Sequence, residues 1–480
     1  MKITPLSWIS LISLLQLILG IDITVISGQC PNDQRSQLLQ LRNSLKFKSG
    51  APTNKLANWN QSTDCCHWPG VRCDNLYHVI GLSLDNETIV RIDNRSSLFS
   101  LQYIEELNLG FNFFNSSPIP VQMYNLTNLR YLNLSNAGFG GQIPSGILRL
   151  TRLVILDLST QFIVGQPLKL ENPNLKIFFN NATELSEVYL DGVNISAQGS
   201  EWCETLSSSL PNLRVLSLRN CHVSGPIHPS LLKLRSLSAI YLDQNDLSSA
   251  VPDFLTNFTN LMTVSLSVCK LLGEFPKAIL QLQTLHHLDL SNNQDLSGGF
   301  PEFQQNGSLE TVSLSFTSFS GLLPDSIGHL RNLSRIELSN CTFTGSIPST
   351  MANLTSLAYV DFSKNNFTGP FPSFQMSKKI IYIDLSHNAL TGPLFSSHFK
   401  GLSELKYVIL GSTLLSGQIP QDLFDLPSLQ SLYLNDNRFE GQVNEFPNAS
   451  VSQLGMLDLS SNHLNGSIPK SFLELPELRV

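Results

Sequence analysis

Between Leu213 and Leu354 apolar and polar residues follow a short figure that returns about every 24 residues. RSLSAIYLDQNDLSSAVPDFLTNF, beginning at Arg235, aligns with TNLMTVSLSVCKLLGEFPKAILQL from Thr259 and with QTLHHLDLSNNQDLSGGFPEFQQN from Gln283; two more units follow without a gap. In each unit two apolar side chains at i and i+2, such as Ile240 and Leu242, share one face of a short strand, while Tyr241 between them points to the other. Asn245 follows where the chain turns, and a buried carboxamide there can bond main-chain groups that water cannot reach. Cys221, Cys269, Thr317, Cys341 and Thr413 hold that place in other units. Leu247 turns inward again, and Pro252, Pro276, Pro324 and Pro348 fall on the outer side, where no ladder needs the missing N–H. One such unit cannot close a core. Stacked units bury their leucine rows against one another, so the pattern predicts an α/β solenoid, elongated and curved, with a parallel sheet on its concave side.

Composition sharpens this picture. The 480 residues are 42% hydrophobic but only 14% charged, against about 25% charged in ordinary soluble domains, so polarity comes from Ser, Asn and Thr. A net charge of -7 and the lack of a Lys/Arg run argue against nucleic acid as a partner. At the amino end Met1 and Lys2 precede an apolar run from Leu6 to Ile26, closed by the small residues Ser27 and Gly28. Residues 1–28 therefore read as a secretory signal peptide; a membrane-anchoring helix is the alternative, weakened by Gln16, Gly20 and Asp22.

Residues 29–77 predict a lid over the first coil. DQRSQLLQLRNSLKF places Leu38, Leu41 and Leu45 along one helix face, and the following segment carries Trp59, Trp68 and three of four cysteines. Cys30, Cys65, Cys66 and Cys73 allow three connectivities. Adjacent half-cystines rarely bond each other without strain, and the favoured pairing is Cys30 to Cys65 with Cys66 to Cys73. A zinc site using His67 is a weaker reading, given the irregular spacing and the secretory signal.

Repeats occupy 78–480, about sixteen by this template. Two units are stretched, one after Leu158 and one spanning DGVNISAQGSEWCETLSSSLPNL, and insertions of this size map to loops or longer helices on one face. Cys203 and Cys221, in neighbouring units, are candidates for a third disulfide; Cys269 and Cys341 would then be buried free thiols. The chain stops at Val480 partway into a unit, with no transmembrane helix after the repeats, which is the expectation for a fragment or a truncated product. N-x-S/T sequons are dense: Asn60, Asn86, Asn94, Asn115, Asn125, Asn181, Asn194, Asn257, Asn306, Asn332, Asn353, Asn366, Asn448 and Asn465 are candidate glycosylation sites, while Asn133 and Asn340, within or just after strand motifs, are expected to be skipped.

The motif after the strand, as in GGQIPSGI, GSIPSTM, SGQIPQDL and NGSIPKSF, resembles that of plant extracellular leucine-rich repeats, and DCCHWPGVRC resembles their N-terminal cap. GSEWCETLSSSLPNLRVLSLRNCHVSGPIHPSL and GEFPKAIL are similar to the receptor-like proteins related to tomato Verticillium wilt resistance proteins. That resemblance implies a cell-surface immune receptor that binds a pathogen-derived or endogenous protein or peptide, with a plasma-membrane anchor and a partner kinase in full-length relatives, or an apoplastic product if the chain ends at Val480. A secreted inhibitor of microbial wall-degrading enzymes and the ectodomain of a receptor kinase are the alternatives. Tyr359, Tyr382 and Tyr407 share one outward column, with Asp361 and Asp384 two residues on and Tyr433 one column over, and tyrosine supplies apolar area and a hydroxyl at low entropic cost. These six are the candidate ligand-binding residues, although the Asp of LDLS also recurs for structural reasons. No catalytic residue, metal ligand or cofactor is indicated: H-E-x-x-H, G-x-S-x-G and phosphate-cradling loops are absent, and His286 and His287, adjacent on a strand, point opposite ways.

Overall fold

The computed structural model describes residues 29–48, 54–161, 165–171, 174–197, 199–305 and 307–478. Residues 1–28, read above as a signal peptide, and the sequon residue Asn306 lie outside them. The repeat figure becomes a parallel sheet running from Val79–Ser83 to Met456–Asp458, in which each three-residue strand pairs with its neighbours in the sequence. Register is kept without slippage: Ile240 lies opposite Val264, Val264 opposite Leu288, and Leu288 opposite Val312. All four are buried. A coil of near-constant length returns each strand to the same height, so side chains at period two stay on one face through the stack.

The turn residues behave as their chemistry requires. Asn293 donates through Nδ2 to the carbonyls of Leu266 (2.9 Å), Leu290 (2.8 Å) and Ser291 (3.2 Å), and its Oδ1 accepts from the amides of Cys269 (3.0 Å) and Leu271 (2.9 Å). One carboxamide thus stitches two coils together inside the core. Where cysteine stands instead, the thiol donates to the same kind of carbonyl, as from Cys269 to Leu242 (3.1 Å) and from Cys341 to Leu314 (3.1 Å). Burial holds these thiols protonated, that of Cys269 up to about 12, so they act as small apolar donors.

Beyond the turn, a second row of parallel strands runs from Leu272–Glu274 to His463–Leu464 along one flank. Gly345 has φ +78° and Leu322 beside it, a backbone region that a Cβ makes costly. Pro348 then opens the outer 3-10 turn Ser349–Asn353, its carbonyl accepting from Met351 N (3.1 Å). Between the two strand rows a line of phenylalanines fills the coil: Phe343 stacks on Phe300 (5.6 Å) and on Phe367 (6.1 Å).

The lid is helix α1 (Asn32–Ser44), which buries Gln34, Leu38 and Leu41. Gln34 Oε1 accepts from Val79 N (2.6 Å), satisfying an amide of the first coil. Disulfides join Cys30 to Cys65 and Cys66 to Cys73. Both thiol pairs are therefore consumed as cystine, leaving no thiolate for a metal. Trp59 stacks on Trp68 (5.3 Å), with indole N–H groups donating to Pro69 O (3.0 Å) and Thr63 Oγ1 (2.8 Å).

The expected bridge between Cys203 and Cys221 is not formed; both are free and buried. The stretched unit folds as helix α2 (Ser200–Ser209) against the outer turn Pro229–Lys233, and Cys203 Sγ on that side accepts from His228 N (3.3 Å). Cys221 sits at the turn ending strand Val215–Ser217, its thiol donating to Leu190 O (3.0 Å). The two sulfurs belong to opposite sides of the coil, each satisfied locally.

Candidate functional site

Side chains on either side of the buried central residue of each strand face away from the core and line up in columns set by the register. Tyr359, Tyr382 and Tyr407 lie opposite one another in successive strands, and Ser431 continues their column. The Tyr359 and Tyr382 rings stack at 4.3 Å with planes 2° apart, and Tyr407 follows at 5.9 Å, tilted. Asp361 pairs with Asp384 in the next column, which runs on through Ile409 to Tyr433 and Asp458. The six sequence-derived residues are thus on one surface. Tyr433 is turned away from the tyrosine stack, its hydroxyl donating to Met456 Sδ (3.0 Å).

Two arginines extend this surface. Arg335 lies opposite Tyr359 in the preceding strand, its guanidinium 3.7 Å from the ring centroid and bonded to Glu337. The row therefore reads Arg335, Tyr359, Tyr382, Tyr407: a cation at the end of a stack of rings, with acids alongside. Its signal was the 24-residue spacing from Arg335 to Tyr359. Earlier in the array, Arg219 stands between Asp191 (3.7 Å) and Asp243 (2.7 Å) and 4.2 Å from the Tyr241 ring centre. Its charge is already matched there.

The acids carry structural duties as well. Asp384 Oδ1 accepts from Ser386 N (3.0 Å) and Oγ (2.6 Å), and Asp361 serves Ser363 in the same way. One oxygen of each carboxylate closes the turn, while Asp384 Oδ2 meets the Tyr382 hydroxyl (3.3 Å). Burial raises the Asp384 carboxyl above the usual range, with the Asp361 charge adding to it. Desolvation likewise raises the Tyr359 and Tyr382 phenols, which stay neutral donors. Because the folded state disfavours ionised Asp384, its charge opposes folding at neutral pH, and that penalty lifts as pH falls through the raised value. Asp384→Asn keeps an oxygen acceptor for Ser386, and is expected to raise the thermal midpoint at pH 7. The gain should shrink on acidification and vanish below about pH 3.9, where the unfolded carboxyl is protonated too. Calorimetry at both pH values checks this; a gain independent of pH would show that charge is not its source.

Among the sequons, Asn60, Asn86, Asn94, Asn115, Asn125, Asn181, Asn257, Asn332, Asn353, Asn366, Asn448 and Asn465 are exposed, and Asn194 is half-buried. Asn133 faces the concavity with its carboxamide engaged by Ser135 N (2.8 Å) and the Tyr131 hydroxyl (3.1 Å). Asn340, expected to be withdrawn, is exposed: it takes a left-handed φ of +53° just after its strand, which swings the side chain out of the core.

The fold and its columns define a leucine-rich-repeat protein on the plant extracellular plan, with a disulfide-stapled cap. Residues 31–74 match the leucine rich repeat N-terminal domain family, and leucine rich repeat families match at 382–439 and at 128–150, 212–234, 308–330, 332–354 and 453–475. Plant receptor-like proteins are among the curated relatives it matches. Receptor-like protein 6 of Arabidopsis thaliana is 34% identical over 254 residues, 49% of this chain and 25% of the relative; Receptor-like protein Cf-9 of Solanum pimpinellifolium is 31% identical over 233 residues, 45% and 26% respectively. The match spans about a quarter of the length of those relatives. Among solved structures, the ectodomain of the Arabidopsis receptor kinase HAESA, in complex with an extended IDA peptide hormone, superposes with a TM-score of 0.73 at 24% identity, covering 93% of this chain and 80% of that one. A TDR receptor gives 0.68 at 26% identity, covering 77% and 66%.

Proposed function

We propose that this chain is the extracellular ligand-recognition region of a plant immune receptor-like protein, which binds a pathogen-derived protein or peptide on its concave strip and signals through a partner kinase. The row from Arg335 to Tyr407 carries the reading. It offers the edges of stacked rings, a guanidinium paired to Glu337 and flanking carboxylates on a sheet whose register holds them rigid, so little conformational entropy is lost on binding. The exposed sequons fit a secreted glycoprotein, and the relatives' receptor names favour recognition over inhibition of wall-degrading enzymes.

The test is a double replacement, Tyr359→Ala with Tyr382→Ala. Peptides retained from a microbial culture filtrate by the immobilised wild-type chain are identified by mass spectrometry and resynthesised. A synthetic peptide from that set is expected to bind the variant at least tenfold more weakly, the loss of about 1.4 kcal/mol or more that two contact tyrosines supply. Equal affinities, with both proteins melting at the same temperature, would remove the strip as the site.

A further inference from the structure

On the flank near the lid, an open cleft of about 840 Å³ lies between the segment after α1 and the second repeat. That volume suits a few residues of a ligand. Lys46 and Arg91, opposite each other in a short antiparallel pair, stand on one side with Lys48. Phe111 and Phe113 stand on the other, 56% and 43% exposed, with Lys48 Nζ 4.3 Å from the Phe113 ring centre. Buried Phe114 and half-buried Val90 add to the lining. Asn112 anchors this wall, accepting from Ile89 N (2.9 Å) and donating to Leu84 O (2.9 Å), so the aromatic ridge is fixed to the repeat core.

The charge there runs against the protein as a whole. The chain carries -7 net, yet three cations meet in this cleft, and no carboxylate is among its described lining residues. The Lys and Arg ion pairs found among the described residues use other side chains. Asp93, in the adjoining hollow that Arg91 also lines, keeps its charge while accepting Arg95 N (2.8 Å), and among the described residues it forms no ion pair with the three cations. Unneutralised cations grouped together repel one another, at a cost that a bound anion relieves.

We propose that this cleft binds an acidic peptide segment that presents a bulky apolar side chain between its carboxylates. The rings would cover the apolar side chain, and Lys46, Lys48 and Arg91 would pair with the carboxylates at the rim. A sugar fits less well: apart from the three cations the lining offers three rings, Val90, Gly138, four Asn and one Ser, of which Asn112 and Asn136 are already hydrogen-bonded, so the hydroxyls that a sugar carries at nearly every carbon outnumber the remaining partners. The same reasoning disfavours an N-linked glycan on Asn86 or Asn115, both at the cleft, as its occupant. This site is separate from the concave strip and does not rest on it.

The experiment uses the full chain secreted from a eukaryotic host and a fluorescein-labelled decapeptide of alternating Glu and Leu. Fluorescence anisotropy is expected to show saturable binding that weakens at least fivefold between low and high salt, as screening of exposed charges requires. Affinity should fall at least tenfold with Lys46→Glu/Lys48→Glu, with Phe111→Ser/Phe113→Ser, and when Ser replaces Leu in the peptide, while Tyr359→Ala/Tyr382→Ala leaves it unchanged. Thermal midpoints confirm that each variant is folded, and Lys46→Gln/Lys48→Gln, which removes charge without reversing it, should give an intermediate loss. Absence of binding both to the wild type and to Asn86→Gln/Asn115→Gln protein overturns the proposal. So does equal binding of an oligo-uronic acid of the same charge, or loss of binding in the tyrosine variant.

Discussion

Asn293→Ala is expected to destabilise the array by about 4 kcal/mol. The alanine leaves the amides of Cys269 and Leu271 without an acceptor inside the core, and a buried orphaned donor costs about 1–3 kcal/mol. The carbonyls of Leu266 and Leu290 also lose a donor, but under-satisfied carbonyls are tolerated more readily, so the two amides dominate. Asn293→Cys should cost about half as much, since at the equivalent place in the preceding coil the Cys269 sulfur accepts from the amide of Asn245 while its thiol donates to Leu242 O, so one of the two amides would regain a partner. Urea midpoints rank the two variants. Because stability in a stacked array is mostly a nearest-neighbour sum, hydrogen exchange should show protection lost at 266–271 and in the flanking units, and retained near the lid. Uniform loss along the whole chain would mean that the ladder is not the local fastening described.

Removing the Cys30 to Cys65 bridge, as Cys30→Ser/Cys65→Ser, is expected to cost a similar amount. Its cysteines are 35 residues apart, and releasing a loop of that size returns about 4 kcal/mol of chain entropy to the unfolded state. The Cys66 to Cys73 bridge closes only 7 residues, worth about 2 kcal/mol on the same account. Burial points the same way: Cys30 and Cys65 are buried, whereas Cys66 and Cys73 are only partly so. Losing the first bridge frees the segment that carries α1, whose Gln34 accepts from Val79 N and whose Gln37 carbonyl accepts from Ser97 Oγ in the first coil. Proteolytic nicking between the lid and the repeats should therefore appear at lower urea for the first double variant than for the second. Equal sensitivity would count against the loop-length account.

How far the sequence can be read depends on the distance over which each feature is determined. Strand positions follow from apolar residues two apart, as in Ile240 and Leu242, and the Asn ladder from one residue three places further on; both are local to a coil. The lid disulfides were legible because two adjacent cysteines cannot readily bond each other, which removes one pairing at once. The Cys203 to Cys221 expectation failed for a related reason. Neighbouring units are close in space, but proximity along the stack does not say on which side of the coil a sulfur lies, and α2 carried Cys203 outward. Asn340 was misplaced because burial after a strand depends on a φ sign that its residue type does not dictate.

By itself, the sequence determined that units of near-constant length stack into a solenoid, which side chains form its spine, and that tyrosines at 359, 382 and 407 share a column. Periodicity suffices for these, since a repeated coil maps position in the unit onto position in space. Only the tertiary structure decided that Arg335 closes over Tyr359, that Arg219 is held between Asp191 and Asp243, and that Lys46, Lys48 and Arg91 face Phe111 and Phe113 across one cleft. Those contacts join different coils, or the lid and the second repeat, and they depend on packing angles and rotamers that no period in the sequence encodes.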